Sequence, residues 1–120
     1  MKGDKELDRV FSIFIRRRDE GKGCISCGQR LRFDYCDAGH FIPRVHIATR
    51  WNEDNVHGQC YQCNRMQDGN EKKYRESLIR RIGIERVEEL ERLKHPTLKL
   101  SASDIEQLTE KYKQLIKSKL

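Results

Sequence analysis

The residues of this chain with the most chemistry to offer are cysteines at 24, 27, 36, 60 and 63 and a histidine set in "DAGHFIPR". Four of the cysteines form the pairs "CISC" and "CYQC". A gap of two residues lets both sulfurs of a tight turn face one ion, and two such turns complete the tetrahedral sulfur shell that Zn²⁺ takes in closed structural sites. Cys24, Cys27, Cys60 and Cys63 are therefore the expected ligands of a structural zinc. A redox pair and ordinary buried thiols are the alternatives. With no secretion signal evident, the spacing favours a metal over disulfides. Cys36, left over, is expected to be a small buried hydrophobe.

A metal also answers a question set by composition. The chain has 120 residues, of which 36% are hydrophobic and 37% charged, so it has little apolar surface with which to offset its ordering entropy. Zinc affinity adds directly to folding free energy. One domain is expected over 1–120, divided into an N-terminal helix at 1–23, a zinc-bound core at 24–70 and C-terminal helices from 71. The first part carries 7 basic and 5 acidic residues, the centre 5 and 5, and the last part 13 and 9. A neutral centre between basic flanks suggests a polyanionic partner. No apolar run approaches the roughly 20 residues of a membrane span, and "MKGDKELDRVF" lacks a signal-peptide core, so a soluble, cytoplasmic protein with no membrane partner is expected.

The elements that must position these residues follow from periodicity. Leu7, Val10, Phe11, Phe14 and Ile15 keep the rhythm of an amphipathic helix, which Gly21 and Gly23 are expected to end. Arg16, Arg17 and Arg18 read as a solvated helix end or, alternatively, as nucleic-acid contacts. "LRFDY" alternates like a strand and runs into "CDAGHFI", its expected hairpin partner, with Pro43 ending the extended run. Asn52 to Asn55 read as a loop, followed by a short extended piece, the second cysteine turn, and a short helix in "NRMQD" closed by Gly69-Asn70. Tyr74, Leu78, Ile79 and Ile82 mark a helix stopped by Gly83. Val87, Leu90 and Leu93 mark another reaching about His95-Pro96. A last helix is expected from Ser103, with "SDIE" as a capping box and Ile105, Leu108, Tyr112 and Leu115 as its stripe.

His40 ends a strand-like segment between the cysteine pairs, Asn55 precedes the second pair, and Asn64 follows it directly. This order resembles the zinc-containing form of the HNH, or ββα-metal, nuclease family. The resemblance implies an α+β fold with a small zinc-clamped ββα-metal core flanked by N-terminal and C-terminal α-helices. It also implies that His40 activates a water, Asn55 orients it, and Asn64 binds a catalytic Mg²⁺ or Mn²⁺. The chemistry is coherent. Hydrolysing a phosphodiester needs a base of near-neutral pKa and a cation to stabilise charge on the phosphate. Many family members place an acidic metal ligand directly before the histidine, where this chain has Gly39. Asp37 is the nearest carboxylate, a metal ligand if a bulge at Gly39 brings it closer and otherwise an exposed turn acid.

A narrower resemblance rests on "GHFIPR", "RWNEDNVHGQCYQCNRMQDGN" and "YRESLIRRIGIERVEEL", which are similar to the NinG/Rap family of phage lambda recombination endonucleases. It implies a phage or prophage protein acting in the bacterial host. The implied activity is a structure-selective, divalent-metal-dependent endonuclease that cuts branched DNA such as Holliday junctions and D-loops and leaves 5′-phosphate and 3′-hydroxyl ends. Arg44, Arg50 and Arg65 flank the proposed site as candidate phosphate clamps. Lys72 and Lys73 could extend that track, or belong to a solvated face. His57 is a candidate phosphate contact or buttress of His40, with a structural role as the alternative, and Trp51 is expected in the core. Two readings of function stand: the nuclease, and a non-catalytic zinc-ribbon DNA-binding module. Resolving a junction symmetrically needs two active sites, so a homodimer through the last helix fits the first reading.

Overall fold

The computed structural model describes residues 3–94 and 98–118. In these the chain forms an α+β fold, mostly helical, in the order α1 (Asp4–Arg18), β1 (Asp37–His40), α2 (Ile47–Arg50), β2 (Val56–Gln59), α3 (Glu71–Ile82), α4 (Ile84–Arg92) and α5 (Ala102–Ser118). A 3-10 turn at Phe33–Tyr35 precedes β1, and a π-helical turn at Gln62–Met66 follows β2.

The apolar stripe of α1 is fully used: Leu7, Val10, Phe11, Phe14 and Ile15 are all buried. Acidic Asp4 and Glu6 lie in its first turn and Arg16, Arg17 and Arg18 in its last, each sign complementing the helix dipole. The stripe packs with Trp51, Val56 and the α5 residues Ile105 and Tyr112. The Tyr112 ring sits 4.9 Å from both Phe11 and Phe14, and its hydroxyl donates to Glu53 at 2.8 Å. A second cluster gathers Ile25, Phe41, Ile42, Tyr74, Leu78, Val87 and Leu90, tying the segment after β1 to α3 and α4. The cysteines form a third with Leu31.

Between these clusters lies a two-stranded antiparallel sheet, in which Asp37, Ala38, Gly39 and His40 pair with Gln59, Gly58, His57 and Val56 in turn. The partner of β1 is therefore β2, and the expected hairpin with "LRFDY" does not form. Leu31 packs among the cysteines, Phe33 lies under arginine side chains, and Tyr35 is exposed. Three different neighbours produce the alternation, where a strand would present one face. The register runs through Gly39 without a bulge. Helix α1 stops at Arg18, before either glycine. The capping box of α5 is made by Ser101 and Asp104, whose side chains each accept the other's backbone N–H at 3.0 Å, and not by the "SDIE" register. Gly83 closes α3 as expected. The expected end of α4 at His95-Pro96 lies outside the described residues.

Candidate functional site

The first cysteine turn is closed by Gly28 N–H to the Cys24 carbonyl at 2.9 Å and Cys24 N–H to the Gln29 carbonyl at 2.7 Å. Gly28 sits at φ +82°, a left-handed conformation that strains any residue with a side chain. The second turn leaves β2 directly. Together they bring the four Sγ atoms of Cys24, Cys27, Cys60 and Cys63 within 4.8 Å of one another. A tetrahedron with Zn–S bonds of about 2.3 Å has edges of roughly 3.8 Å, and Cys27 Sγ lies 3.8 Å from Cys60 Sγ. Backbone amides donate to the sulfurs as thiolates require: Cys27 and Cys60 to Cys24 at 3.5 and 3.3 Å, and Cys63 to Cys60 at 3.4 Å. The Asn70 amide reaches Cys63 at 3.5 Å. Burial pushes the Cys60 thiol up to about 12, whereas at Cys24 the amides of Cys27, Cys60 and Ser26 outweigh burial and bring the thiol below its ordinary value. A dication offsets the cost of holding such thiolates together, so the donor set fits zinc. Cys36 is buried beside the tetrad and outside it, as expected.

His40 is half-buried at the end of β1, with Nε2 2.9 Å from the Arg50 carbonyl oxygen. Burial holds its pKa below the ordinary histidine value, against the opposing effect of that hydrogen bond. Arg50 is fixed in turn by Asp8, which accepts from Nε at 3.1 Å and Nη2 at 2.5 Å and also from Trp51 Nε1 at 2.9 Å. His40 borders a cavity of about 120 Å³ with Asp8, Phe11, Ser12, Ala38 and Arg44. An adjoining cavity of about 370 Å³ shares Ser12 and Ala38 and adds Arg16, Cys36, Asp37, Tyr61, Asn64 and Arg65. His40 and Asn64 thus border neighbouring cavities along α1, joined at Ser12 and Ala38.

Asn64 donates from Nδ2 to Asp37 Oδ2 at 2.8 Å, and Arg65 grips the same carboxylate at 2.9 and 2.7 Å. Asp37 therefore reaches Asn64 without a bulge. Position 39 is closed to any side chain, because a Cβ there would sit 2.0 Å from Gln59 Oε1 and 3.0 Å from Gln59 Cβ. Gln59 is itself fixed, its amide donating to Ser26 Oγ at 2.8 Å and the Gly69 carbonyl at 2.6 Å.

Asn55 and Arg50 occupy places other than those expected, and His57 takes the structural one of its two expected roles. Asn55 is fully buried and touches no water-accessible surface; it accepts from Ile42 N–H at 2.8 Å and donates to the Ile42 and Thr49 carbonyls at 3.0 and 3.1 Å, cross-linking the loop that carries His40. Arg50, 12% exposed, is committed to Asp8 and is a strut, not a free phosphate clamp. His57 is buried, its Nδ1 facing Arg18 at 3.2 Å and Arg81 at 3.3 Å and its Nε2 donating to the Asp54 carbonyl at 3.0 Å. Burial, reinforced by Arg18, lowers its pKa to about 4, so its role is structural. Arg44 stays 62% exposed, 3.6 Å from Asp8, and Arg65 is 61% exposed. Lys72 and Lys73 are exposed on α3.

Asp8, Asp19 and Gln59 escaped the sequence reading. Asp19 is buried, takes two bonds from Arg18 at 2.8 and 3.0 Å and one from Gly58 N–H at 2.8 Å, and is held at about 2 despite its burial. An isolated acid beside a helix end carries no signal of a partner 39 residues away.

A cysteine tetrad able to hold zinc, tied to a two-stranded sheet and wrapped in helices, defines a small α+β protein of the metal-knuckle class. The chain belongs to the NinG family: the family model described as Bacteriophage Lambda NinG protein matches residues 2–119. It is 37% identical over 114 residues to Protein ninG of Escherichia phage 933W, covering 94% of this chain and 56% of that protein. It is 42% identical over 88 residues to Protein ninG of Escherichia phage lambda, covering 72% and 43%. For Protein ninG of Salmonella phage P22 the identity is 36% over 114 residues, covering 94% and 55%. The chain spans about half the length of the curated relatives it matches. No solved structure matches it. Among the described residues no helix is long and apolar enough to cross a membrane.

Proposed function

We propose that this protein is a divalent-metal-dependent endonuclease of the ββα-metal (HNH) kind that hydrolyses phosphodiester bonds in branched DNA during phage recombination. The observation that carries this reading is the tautomer of His40. A carbonyl oxygen only accepts, so Nε2 facing Arg50 at 2.9 Å must bear the ring proton. In the neutral ring Nδ1 is then the free lone pair. Burial favours that neutral form, so a base is available at physiological pH.

Water deprotonated at Nδ1 attacks the phosphorus as the bond from phosphorus to the 3′-oxygen breaks; the departing oxygen takes a proton from solvent to become the 3′-hydroxyl, and the ring returns its own proton to solvent. Asn55 acts as a positioning residue through the Ile42 and Thr49 backbone. Asp37 and Asn64 lie side by side, joined through the Asn64 amide nitrogen, and their carboxylate and carboxamide oxygens would be the donors to Mg²⁺ or Mn²⁺, with waters and a phosphate completing the shell. When bound, such an ion stabilises charge on the phosphate and the leaving oxygen. Arg44 and Arg65, exposed at the two cavities, pair with flanking phosphates, and Lys72 and Lys73 extend the track. Two copies acting on one junction would account for symmetric cutting.

The test incubates the zinc-loaded protein with matched four-way junction, flap and linear duplex, with and without Mg²⁺. Cleavage should require the ion, favour the junction, and fall at least a thousandfold in His40→Ala with zinc content unchanged. Undiminished cutting by that variant rejects the assignment. Junction binding without cleavage by the unmodified protein supports a DNA-binding module instead.

A further inference from the structure

Four arginine–aromatic pairs lie at the larger cavity or next in sequence to it, its lining holding Arg16, Tyr61, Arg65 and Cys36, the residue that follows Tyr35. Arg65 lies 4.2 Å from the Tyr61 ring centroid, and both residues line the cavity. Arg16, also in the lining, lies 4.4 Å from the Phe33 ring, with Arg17 at 5.6 Å from the same ring. In the same 3-10 turn Arg32 lies 5.4 Å from Tyr35. Tyr61 and Tyr35 are 45% and 63% exposed, far more than rings used for packing in this fold.

We propose that this rim binds unpaired nucleobases of a DNA strand, with Tyr61 as the principal stacking surface, Tyr35 as a second, and the arginines pairing with the attached phosphates. This rests on the endonuclease reading and names what that site selects: strands whose base faces are open. A flat ring bearing a cation suits a planar π-system joined to an anion, which is an unstacked nucleotide. Paired duplex hides base faces in its own stack and offers the rim only phosphates. An acidic peptide would engage the arginines and leave the rings unused. Arg65 is already oriented by Asp37 at 2.7 Å, so part of the platform is fixed before DNA arrives.

The experiment uses the full chain with zinc, in a His40→Ala background without added Mg²⁺, and measures fluorescence anisotropy on two oligonucleotides of equal length. One is fully paired; the other carries a central unpaired thymine bubble with one 2-aminopurine. Tyr61→Ala should weaken binding to the bubble roughly tenfold and to the duplex less than twofold, while Tyr61→Phe keeps the affinity. The unmodified ring should quench 2-aminopurine in the bubble, a readout that needs no substitution. Equal losses on both DNAs, no loss on either, equal damage from Tyr61→Phe, or absent quenching overturns the proposal. Because cleavage is not read, these outcomes are separate from those of the His40 test: lost discrimination here with cleavage intact overturns the stacking platform alone.

Discussion

Asp8 on α1 and Arg50 at the end of α2 form a bidentate pair, and the carbonyl of that same Arg50 orients the His40 ring. One helix side chain thereby sets the angle of an imidazole it does not bond. Asp8→Ala would leave a guanidinium only 12% exposed without its bidentate partner, with Asp4 at 3.8 Å as its remaining carboxylate, and Trp51 Nε1 without its acceptor. Losing such charge-assisted bonds costs about 2–3 kcal/mol. Urea unfolding should show that loss, and cleavage should fall along with it; a variant as stable as the parent would remove Asp8 from this role.

Acid should loosen the protein through His57. Its folded pKa of about 4 lies below the 6.5 of the unfolded chain, so the unfolded state takes up the proton first. Stability is therefore complete above pH 6.5 and declines as pH falls toward 4, by about 3 kcal/mol. Arg18 and Arg81 oppose the charge, and Asp19 favours it. Asp19 contributes in a lower window, from 3.8 down to about 2. Urea midpoints at pH 7 and pH 4 should differ less for His57→Gln than for the parent, since glutamine does not titrate.

Position 39 should reject even a methyl group. Gly39→Ala drives Cβ into Gln59, whose amide is bonded to Ser26 and Gly69 and cannot swing aside freely. Overpacking of this kind costs about 1–3 kcal/mol. In a Gln59→Ala background the same change should cost less, and the double-mutant cycle should report a favourable coupling. Strict additivity in thermal melts would mean the side chains do not collide.

Zinc should be a condition of folding. In small domains structural zinc contributes about 10–16 kcal/mol, against a typical domain stability of 5–15. Chelation, or Cys60→Ser, should therefore abolish most helical circular dichroism, and the parent should yield one zinc per chain in a colorimetric assay. A helical spectrum that survives complete metal removal would contradict this.

What the sequence disclosed depended on whether the signal was local. The stripe of α1 predicted five buried side chains, and the spacing of "CISC" and "CYQC" predicted the tetrad, because each depends on residues within a few positions. The sheet was misread because Leu31, Phe33 and Tyr35 alternate for separate reasons, while β2 lies beyond a loop of irregular pattern. Asp8 and Asp19 are illegible in the sequence because the partners that draw them inward, Arg50 and the Gly58 amide, are 42 and 39 residues away, and a charged residue on or next to an amphipathic helix reads as solvated. Asn55 was singled out correctly as a loop residue, yet no pattern indicated that its amide bonds backbone alone.

The embrace of α1 by α5 imposes an order on biosynthesis. The rings of Phe11 and Phe14 gain their cover only when Tyr112 has left the ribosome, on the order of ten seconds after they do. The cysteine turns, complete at Cys63, emerge well before that. Ion capture can thus anchor the nascent chain early, while part of the oily side of its first helix stays open to chaperones until α5 emerges.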